Sequence, residues 1–217
     1  MKGDILVIEE HHYEVAKQIV ESIIGEIKKK STRYIITVAG ESGSGKSETG
    51  KAIADELKKH SVESAILSQD DYFFLPPKSN DAMRRKDPEW LGPHIEVKLD
   101  QLESNIKDAV NGKDSIIKPL VDYNENSIGE EIVSLTGIKV VIAEGTYTTL
   151  LKNVDCKVFI SRNRLDTLEH RKARNRGNEI GDSFIEQILI IEHKIIAGHK
   201  QLADFIINKD YSLISIK

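Results

Sequence analysis

The stretch GESGSGKS, from Gly40 to Ser47, constrains this chain more than any other part of its sequence. It matches the pattern G-x-x-x-x-G-K-[ST] and stands between an apolar run, YIITVA, and a helical pattern over about residues 46–60. A glycine-rich turn between a buried strand and a helix gathers backbone N–H groups and the positive helix N-terminus around one point. Gly43 and Gly45 have no Cβ atom that would prevent the backbone from closing there. The sequence therefore predicts a binding site for a nucleoside triphosphate.

The polar residues of this loop have separate predicted roles. Lys46 would reach the β- and γ-phosphates, and Ser47 would offer its hydroxyl to Mg²⁺. The predicted nucleotide contacts are Gly40, Ser42, Gly43, Ser44, Gly45, Lys46, Ser47 and Glu48. A plain Gly/Ser turn is the alternative, but the strand, the spacing, the Lys–Ser pair and the helix all agree with the nucleotide loop.

Composition narrows the remaining possibilities. With 217 residues, 39% of them hydrophobic and 30% charged, the chain has room for one sizeable α/β domain with small additions. A net charge of −4 gives no reason to expect a nucleic-acid or membrane partner. No apolar run is long enough for a membrane span or a signal core. The single cysteine, Cys156, cannot form an internal disulfide, so we expect a cytoplasmic location and a small buried side chain at this position.

Strand and helix patterns alternate along the chain, which favours a parallel sheet with helices on both faces. Predicted strands cover residues 4–8, 34–39, 64–68, 138–143, 157–160 and 203–207, with a further short edge near 211–216. Predicted helices cover residues 13–30, 46–60, 99–110, 164–175 and 183–197. The last helix should begin with a capping box from Ser183 to Glu186 and end at Gly198.

The domain plan follows from these elements. Residues 1–30 form a predicted strand–helix addition that precedes a nucleotide-binding domain over residues 31–217. Residues 75–93 hold four of the five prolines and are expected to be irregular loop, while 113–138 suggest a hairpin.

Acidic residues follow two of the predicted parallel strands, and ligands bind beyond the carboxyl ends of such strands. Asp70 and Asp71 follow SAILS, and Glu144 follows IKVVIA. Phosphoryl transfer needs a carboxylate that orients the acceptor hydroxyl and accepts its proton, together with acids that support the metal. Asp70 is nearer the strand end and is the predicted base, although it could instead cap a turn. Glu144 is predicted to serve the Mg²⁺ shell.

A basic run, RLDTLEHRKARNRGNE, covers residues 164–179. Its positive side chains are Arg164, Arg171, Lys172, Arg174 and Arg176. Arginines outnumber acids towards the Arg-Gly end, as a lid that covers phosphates would require. A solvated helix face is the alternative, and spacing does not decide between the two.

Two other classes of nucleotide-binding protein do not fit. A GTPase would carry D-x-x-G and N-K-x-D motifs, but no aspartate here has glycine three residues later, and NKD at 208–210 is followed by Tyr211. A motor or assembly ATPase would show a strand that ends in Asp-Glu, whereas this strand ends in Ala143-Glu144. A small-molecule kinase remains.

An ordered set of segments resembles the uridine kinase and phosphoribulokinase family of P-loop kinases over about residues 34–207. The segments are GESGSGKS, LSQDDYF, PLVDY, VVIAEGTY, RKARNRG and ADFII. The resemblance implies the P-loop nucleoside triphosphate hydrolase fold, with a parallel five-stranded sheet, helices on both faces and an arginine lid at about 164–180. It also implies phosphorylation of a small-metabolite hydroxyl by Mg-ATP. The catalytic residues that it implies are Lys46, Asp70, Arg171 and Arg176, with Ser47 and Glu144 at the metal.

The acceptor region, about residues 75–138, departs from that family. KDPEWLGPHIEVKLD stands where uridine kinases have an F-D-H-P-D-A-F-D-like stretch. Val121 and Asn126 replace a tyrosine and a histidine that would contact a nucleoside. The lid ends Arg176-Gly177-Asn178-Glu179, one arginine short of R-G-R-D, and the effect of the missing arginine on activity stays open. Because the acceptor region differs from that of uridine kinases, the identity of the acceptor stays open as well.

Candidate acceptor contacts come from the loops around this region. Trp90 could stack on a base or sugar or brace a loop, and His94 could bind an acceptor or lie on the surface. The full predicted set is Asp70, Tyr72, Asp87, Trp90, His94 and Tyr123. The histidines have no metal-ligand spacing, so no protein-only metal site is predicted.

The sequence thus favours a cytoplasmic ATP-dependent kinase, with uridine or cytidine as the first acceptor to consider. A non-nucleoside acceptor, such as a sugar phosphate or a vitamin alcohol, is the first alternative. A non-catalytic nucleotide-binding regulatory protein that uses its N-terminal helix for interactions is the second. The expected partners are ATP and the acceptor, and a homo-oligomer is compatible with the sequence.

Overall fold

The computed structural model describes residues 6–167 and 182–216. The strands are β1 (Tyr34–Gly40), β2 (Ser64–Ser68), β3 (Ser115–Asp122), β4 (Ser127–Ser134), β5 (Val140–Glu144), β6 (Cys156–Ile160), β7 (Phe205–Ile207) and β8 (Leu213–Ser215). The α-helices in those ranges are α1 (Glu10–Lys29), α2 (Lys46–Lys59), α3 (Pro77–Lys86), α4 (Leu99–Val110) and α5 (Ser183–Ile196). None of the helices in these ranges is both long enough and apolar enough to cross a membrane.

The main sheet has the strand order β2-β5-β1-β6-β7-β8. The first five strands are parallel, and β8 adds an antiparallel edge to β7. The predicted parallel five-stranded sheet is confirmed. All seven residues of β1 are buried because helices cover both faces of this central strand. The loop that leaves β1 therefore starts from the middle of the sheet, with β5 on one side and β6 on the other.

Helix α1 covers one face of the sheet together with α2. Its apolar residues at spacing four, Val15, Ile19, Ile23 and Ile27, are buried in the core cluster that these helices share with the strands. The predicted strand at 4–8 is wrong in its described part, since residues 6–8 are irregular and precede the helix. The boundary that we place after residue 30 stays a prediction.

Helix α3 corrects the prediction that residues 75–93 are irregular. Two prolines precede or open this helix, and Pro77 occupies a first-turn position whose N–H would have no helical acceptor. The turn of the β3–β4 hairpin holds the start of α3, because the Asn126 side chain accepts a hydrogen bond from Lys78 N at 2.7 Å. The predicted hairpin itself is confirmed.

Helix α5 begins differently from its prediction. Asp182 is the N-cap, and its side chain accepts a hydrogen bond from Phe184 N at 2.8 Å, so the predicted Ser183–Glu186 capping box is wrong. Gly198 lies inside a 3-10 turn, Ala197–Leu202, that continues the helix. Of the predicted basic helix, residues 164–167 form a turn and the rest lies outside the described residues.

Cys156 is buried at the start of β6, as predicted.

Candidate active site

The loop between β1 and α2 has the backbone that its glycines predict. Gly43 and Gly45 have φ values of 76° and 98°, in the region that favours glycine. The Lys46 ammonium lies across the loop and donates to the Glu41 carbonyl at 2.9 Å. The buried Ser44 hydroxyl has no hydrogen-bond partner among the described residues. The loop therefore offers a cation, a hydroxyl and a helix N-terminus to an anion.

Ser47 and Glu144 meet where α2 begins and β5 ends. The Ser47 hydroxyl donates to a Glu144 carboxylate oxygen at 3.1 Å. Burial raises the pKa of Glu144 to about 7, and the negative charge of Asp70 adds to this shift against the opposing effects of Ser68, Lys46 and Ser47. The Glu144 and Asp70 carboxylates are thus close enough to repel each other at the carboxyl ends of β5 and β2, where a cation would stabilise both.

The two adjacent aspartates after β2 lie in different surroundings. Asp71 is buried and accepts hydrogen bonds from Lys118 Nζ at 2.7 Å and from Val121 N at 3.1 Å. Asp70 is half-buried, and no hydrogen bond or ion pair joins its carboxylate to any residue in 6–167 or 182–216. Of the two, only Asp70 has a carboxylate available beside Glu144.

Gly145 allows the ends of β2 and β5 to approach closely. A Cβ atom at this position would lie 2.2 Å from Gln69 Cβ, and the φ of 152° already disfavours other residues. Gln69 also accepts a hydrogen bond from Tyr147 N at 2.7 Å. This contact sets the spacing between the segments that carry Asp70 and Glu144.

Helix α5 holds the nucleotide loop through hydrogen bonds that the sequence analysis did not predict. The buried Glu192 carboxylate accepts hydrogen bonds from Ser42 N at 2.6 Å and from Ser42 Oγ at 2.7 Å. The buried Glu41 carboxylate lies 2.6 Å from His193 Nδ1 and accepts a hydrogen bond from Arg164 N at 2.8 Å. The one available signal was an acid inside the apolar run LIIEHKII. Both segments that flank residues 168–181 are therefore attached to the loop.

A second polar cluster, which sequence reasoning also missed, centres on the buried Glu96. Its carboxylate pairs with Arg84 Nη2 at 2.6 Å and accepts hydrogen bonds from Asn80 Nδ2 at 3.1 Å and Tyr147 Oη at 3.4 Å. Trp90 Nε1 donates to Asn80 Oδ1 at 2.8 Å. The indole is thereby fixed to α3, and Tyr147 connects the cluster to the residues after β5.

Four other predicted acceptor contacts lie outside the cluster around Glu96, namely Tyr72, Asp87, His94 and Tyr123. Tyr72 is fully buried and its hydroxyl donates to Asn105 at 3.4 Å. Asp87 is exposed and accepts from Glu89 N. His94, with a φ of 65°, and Tyr123 lie in exposed loops.

Three further predicted residues complete the set. Glu48 is buried in the first turn of α2, on the side of His12. Arg171 and Arg176 lie outside the described residues.

Comparison with known proteins agrees with this architecture. The model of the Phosphoribulokinase / Uridine kinase family matches residues 35–209. A uridine kinase from Staphylococcus epidermidis is 30% identical over 80% of this chain and 86% of its own length. A bifunctional alpha-galactosidase/sucrose kinase from Mediterraneibacter gnavus is 29% identical over 83% of this chain, which spans only 20% of that longer protein.

A solved structure named as a fructose transport system kinase, from Silicibacter sp. TM1040, superposes with a TM-score of 0.66. It covers 84% of this chain and 94% of its own, and at 17% identity it shows the fold alone. Together, the matched family model and the nucleotide loop place this chain in the phosphoribulokinase/uridine kinase family, as a kinase that acts on hydroxyl acceptors.

Proposed function

We propose that this kinase uses Mg-ATP to phosphorylate a hydroxyl of a sugar or related polyol, with Asp70 as the base. The observation that carries the proposal is the group formed by Ser47, Glu144 and Asp70 beside the Lys46 ammonium. These are the parts that phosphoryl transfer needs, since most of its rate comes from positioning and charge stabilisation.

In the proposed reaction, the acceptor O–H lies against the Asp70 carboxylate. The acceptor oxygen forms its bond to the γ-phosphorus while the bond from that phosphorus to the β–γ bridging oxygen breaks. Asp70 takes the hydroxyl proton, and ADP leaves with the bridging oxygen. Lys46 and the N–H groups of the loop stabilise the charge that develops on the phosphate oxygens.

The oxygen donors of Ser47 and Glu144 suit Mg²⁺, which prefers hydroxyl, carboxylate and water ligands. The crowding of the Glu144 and Asp70 carboxylates fits a cation at this position. When bound, Mg²⁺ would neutralise charge on the ATP phosphates. Arg171 and Arg176 stay predicted lid residues in this proposal.

A sugar-like acceptor is supported by the two positions, Val121 and Asn126, at which uridine kinases have a tyrosine and a histidine that would contact a nucleoside. Val121 is fully buried and Asn126 holds the first turn of α3, so both have structural tasks. The cluster around Glu96 offers a half-buried indole and a partly exposed arginine to a polyol. The name of the bifunctional alpha-galactosidase/sucrose kinase, a relative at 29% identity, points to the same acceptor class.

A nucleoside is the second candidate, because uridine kinases are among the relatives with 30% identity. We also expect a cytoplasmic location, where ATP is supplied. A homo-oligomer stays a prediction.

The test is ADP release from Mg-ATP with a panel of sugars, sugar phosphates, uridine and cytidine. Asp70→Asn should abolish acceptor-stimulated turnover, while Asp114→Asn, on the exposed surface, should leave it unchanged. Stimulation by uridine or cytidine alone would contradict the sugar assignment. ATP binding without stimulation by any acceptor would instead favour a regulatory protein.

A further inference from the structure

Tyr211 lies in the turn between β7 and β8 with an unusual backbone conformation. Its φ is 63°, a left-handed value that is rare for a bulky side chain and is found where the surrounding structure or a function requires it. The turn is closed by a hydrogen bond from Asn208 N to Ser212 O at 2.9 Å. This backbone directs the half-buried Tyr211 ring towards α1 and the nucleotide loop.

His12, in the first turn of α1, is the first hydrogen-bond partner of the Tyr211 hydroxyl. His12 Nδ1 accepts a hydrogen bond from Glu9 N at 3.0 Å, so the single hydrogen of a neutral His12 ring is on Nε2. Burial, together with the neighbouring His11, lowers the pKa of His12 to about 4, which keeps the ring neutral. His12 Nε2 lies 3.5 Å from Tyr211 Oη, and its hydrogen is therefore donated to that oxygen.

Arg162 contributes a second donor to the same oxygen. Its Nη1 donates to Tyr211 Oη, and its guanidinium lies over the Tyr211 ring at 4.8 Å from the centroid. Both lone pairs of the phenol oxygen are then used. Burial raises the pKa of Tyr211 against the opposing effect of Arg162, so the phenol keeps its own hydrogen. That hydrogen has no acceptor among the described residues.

The position of this donor relates it to the nucleotide loop. A Cβ atom on Gly45 would lie 3.1 Å from His12 Nε2 and 3.6 Å from Tyr211 Oη, so both groups touch the start of α2. The acids of the proposed phosphoryl-transfer site lie at the ends of β2 and β5, on one side of β1. Arg162 and Tyr211 follow β6 and β7, on the other side. A nucleotide whose γ-phosphate faces Asp70, and whose other phosphates follow the loop across β1, would bring its nucleoside end to the side of the sheet that carries Arg162 and Tyr211.

We propose that Tyr211 is a nucleotide-binding residue whose hydroxyl donates to a ribose or α-phosphate oxygen, and that His12 is the positioning residue that orients it. This makes the first turn of α1 part of the ATP site. The inference rests on the proposed nucleotide site, and it assigns a task to a segment that precedes the family-matched region.

Calorimetric titration of the full chain with MgADP tests the contact. Tyr211→Phe should weaken MgADP binding about three- to tenfold, the usual effect of one hydrogen bond. Tyr13→Phe, a matched change at an exposed tyrosine of α1, should leave it unchanged. Titration with magnesium pyrophosphate separates the two acceptors, because equal weakening identifies the α-phosphate and unchanged binding identifies the ribose. Unchanged MgADP binding by Tyr211→Phe would overturn the proposal.

A double-mutant cycle tests the positioning role. His12→Asn keeps an acceptor for Glu9 N–H but has no hydrogen at the Nε2 position, and it should weaken MgADP binding about threefold in the wild-type background. In the Tyr211→Phe background it should have no effect, whereas an equal loss in both backgrounds would overturn the role of His12. If the wild-type chain binds no MgADP, the proposed function fails as well. If the wild-type chain binds MgADP and Tyr211→Phe binds it equally well, this inference fails and the proposed function stands.

Discussion

Lys118 Nζ lies 2.7 Å from the Asp71 carboxylate, and both side chains are buried. The neighbouring Asp70 is half-buried and has no such partner among the described residues. Lys118 is also held by Glu131 at 2.9 Å. Adjacent carboxylates in one short turn thus have separate tasks, one in anchoring the hairpin and one at the sheet edge.

These different surroundings predict opposite effects of the same substitution. Asp70→Asn should remove turnover with little change in the free energy of unfolding. Asp71→Asn should lower the free energy of unfolding by about 2–4 kcal/mol, because it leaves a buried ammonium poorly paired. Chemical denaturation and turnover, measured on both variants, check this. Asp71→Asn with full stability and no activity would mean that the two roles are exchanged.

Gly145→Ala should disrupt the site through sterics alone. The new Cβ would overlap Gln69, whose Cβ is attached to the backbone and cannot rotate away. We expect a loss of about 3 kcal/mol or more in the free energy of unfolding and at least a tenfold loss of kcat/KM. Gly129→Ala is the matched control, because nothing lies within 4 Å of the Cβ position there. Equal behaviour of the two variants would argue against this contact.

Glu192 should hold the nucleotide loop through its hydrogen bonds rather than its charge. Glu192→Ala removes both bonds to Ser42 and should raise the KM for ATP on the order of tenfold. Glu192→Gln can still accept from Ser42 N and donate to Ser42 Oγ, so its KM for ATP should stay close to the wild-type value. Steady-state kinetics with both variants distinguishes the two explanations, and a wild-type KM in the alanine variant would exclude a role in holding the loop.

The buried His12 should make stability depend on pH in a defined window. Its pKa is lowered from 6.5 to about 4, so the unfolded chain takes up a proton between these values that the folded chain does not. The free energy of unfolding should therefore fall as pH falls from about 6.5 to 4, by at most about 3 kcal/mol. Denaturation curves of the wild type and His12→Asn, measured across pH 4–8, check this sign.

His94→Asn is the control for that experiment, because this histidine is exposed and asparagine tolerates its positive φ. It should keep the wild-type slope, while His12→Asn should lose part of it. A steeper slope for His12→Asn would contradict the sign that we derive.

The sequence predicted most elements well where local patterns are strong. Helix α4 and strand β2 have the predicted bounds, and the hairpin lies within the predicted residues 113–138. Proline was misleading at α3, since Pro77 starts a helix as readily as it marks a loop. The N-cap of α5 was misplaced by one residue because Asp182 and Ser183 are both good capping residues.

What the sequence determined by itself is the strand–loop–helix unit around GESGSGKS and the acids at strand ends, because these depend on neighbours a few residues apart. Which of the two aspartates is available depended on the contact of Asp71 with Lys118, 47 residues away. The position of the nucleotide loop depended on the contact of Ser42 with Glu192, 150 residues apart. The task of His12 depended on Tyr211, 199 residues away. Such pairs are set by the order of strands in the sheet, and no local spacing encodes which distant side chains that order brings together.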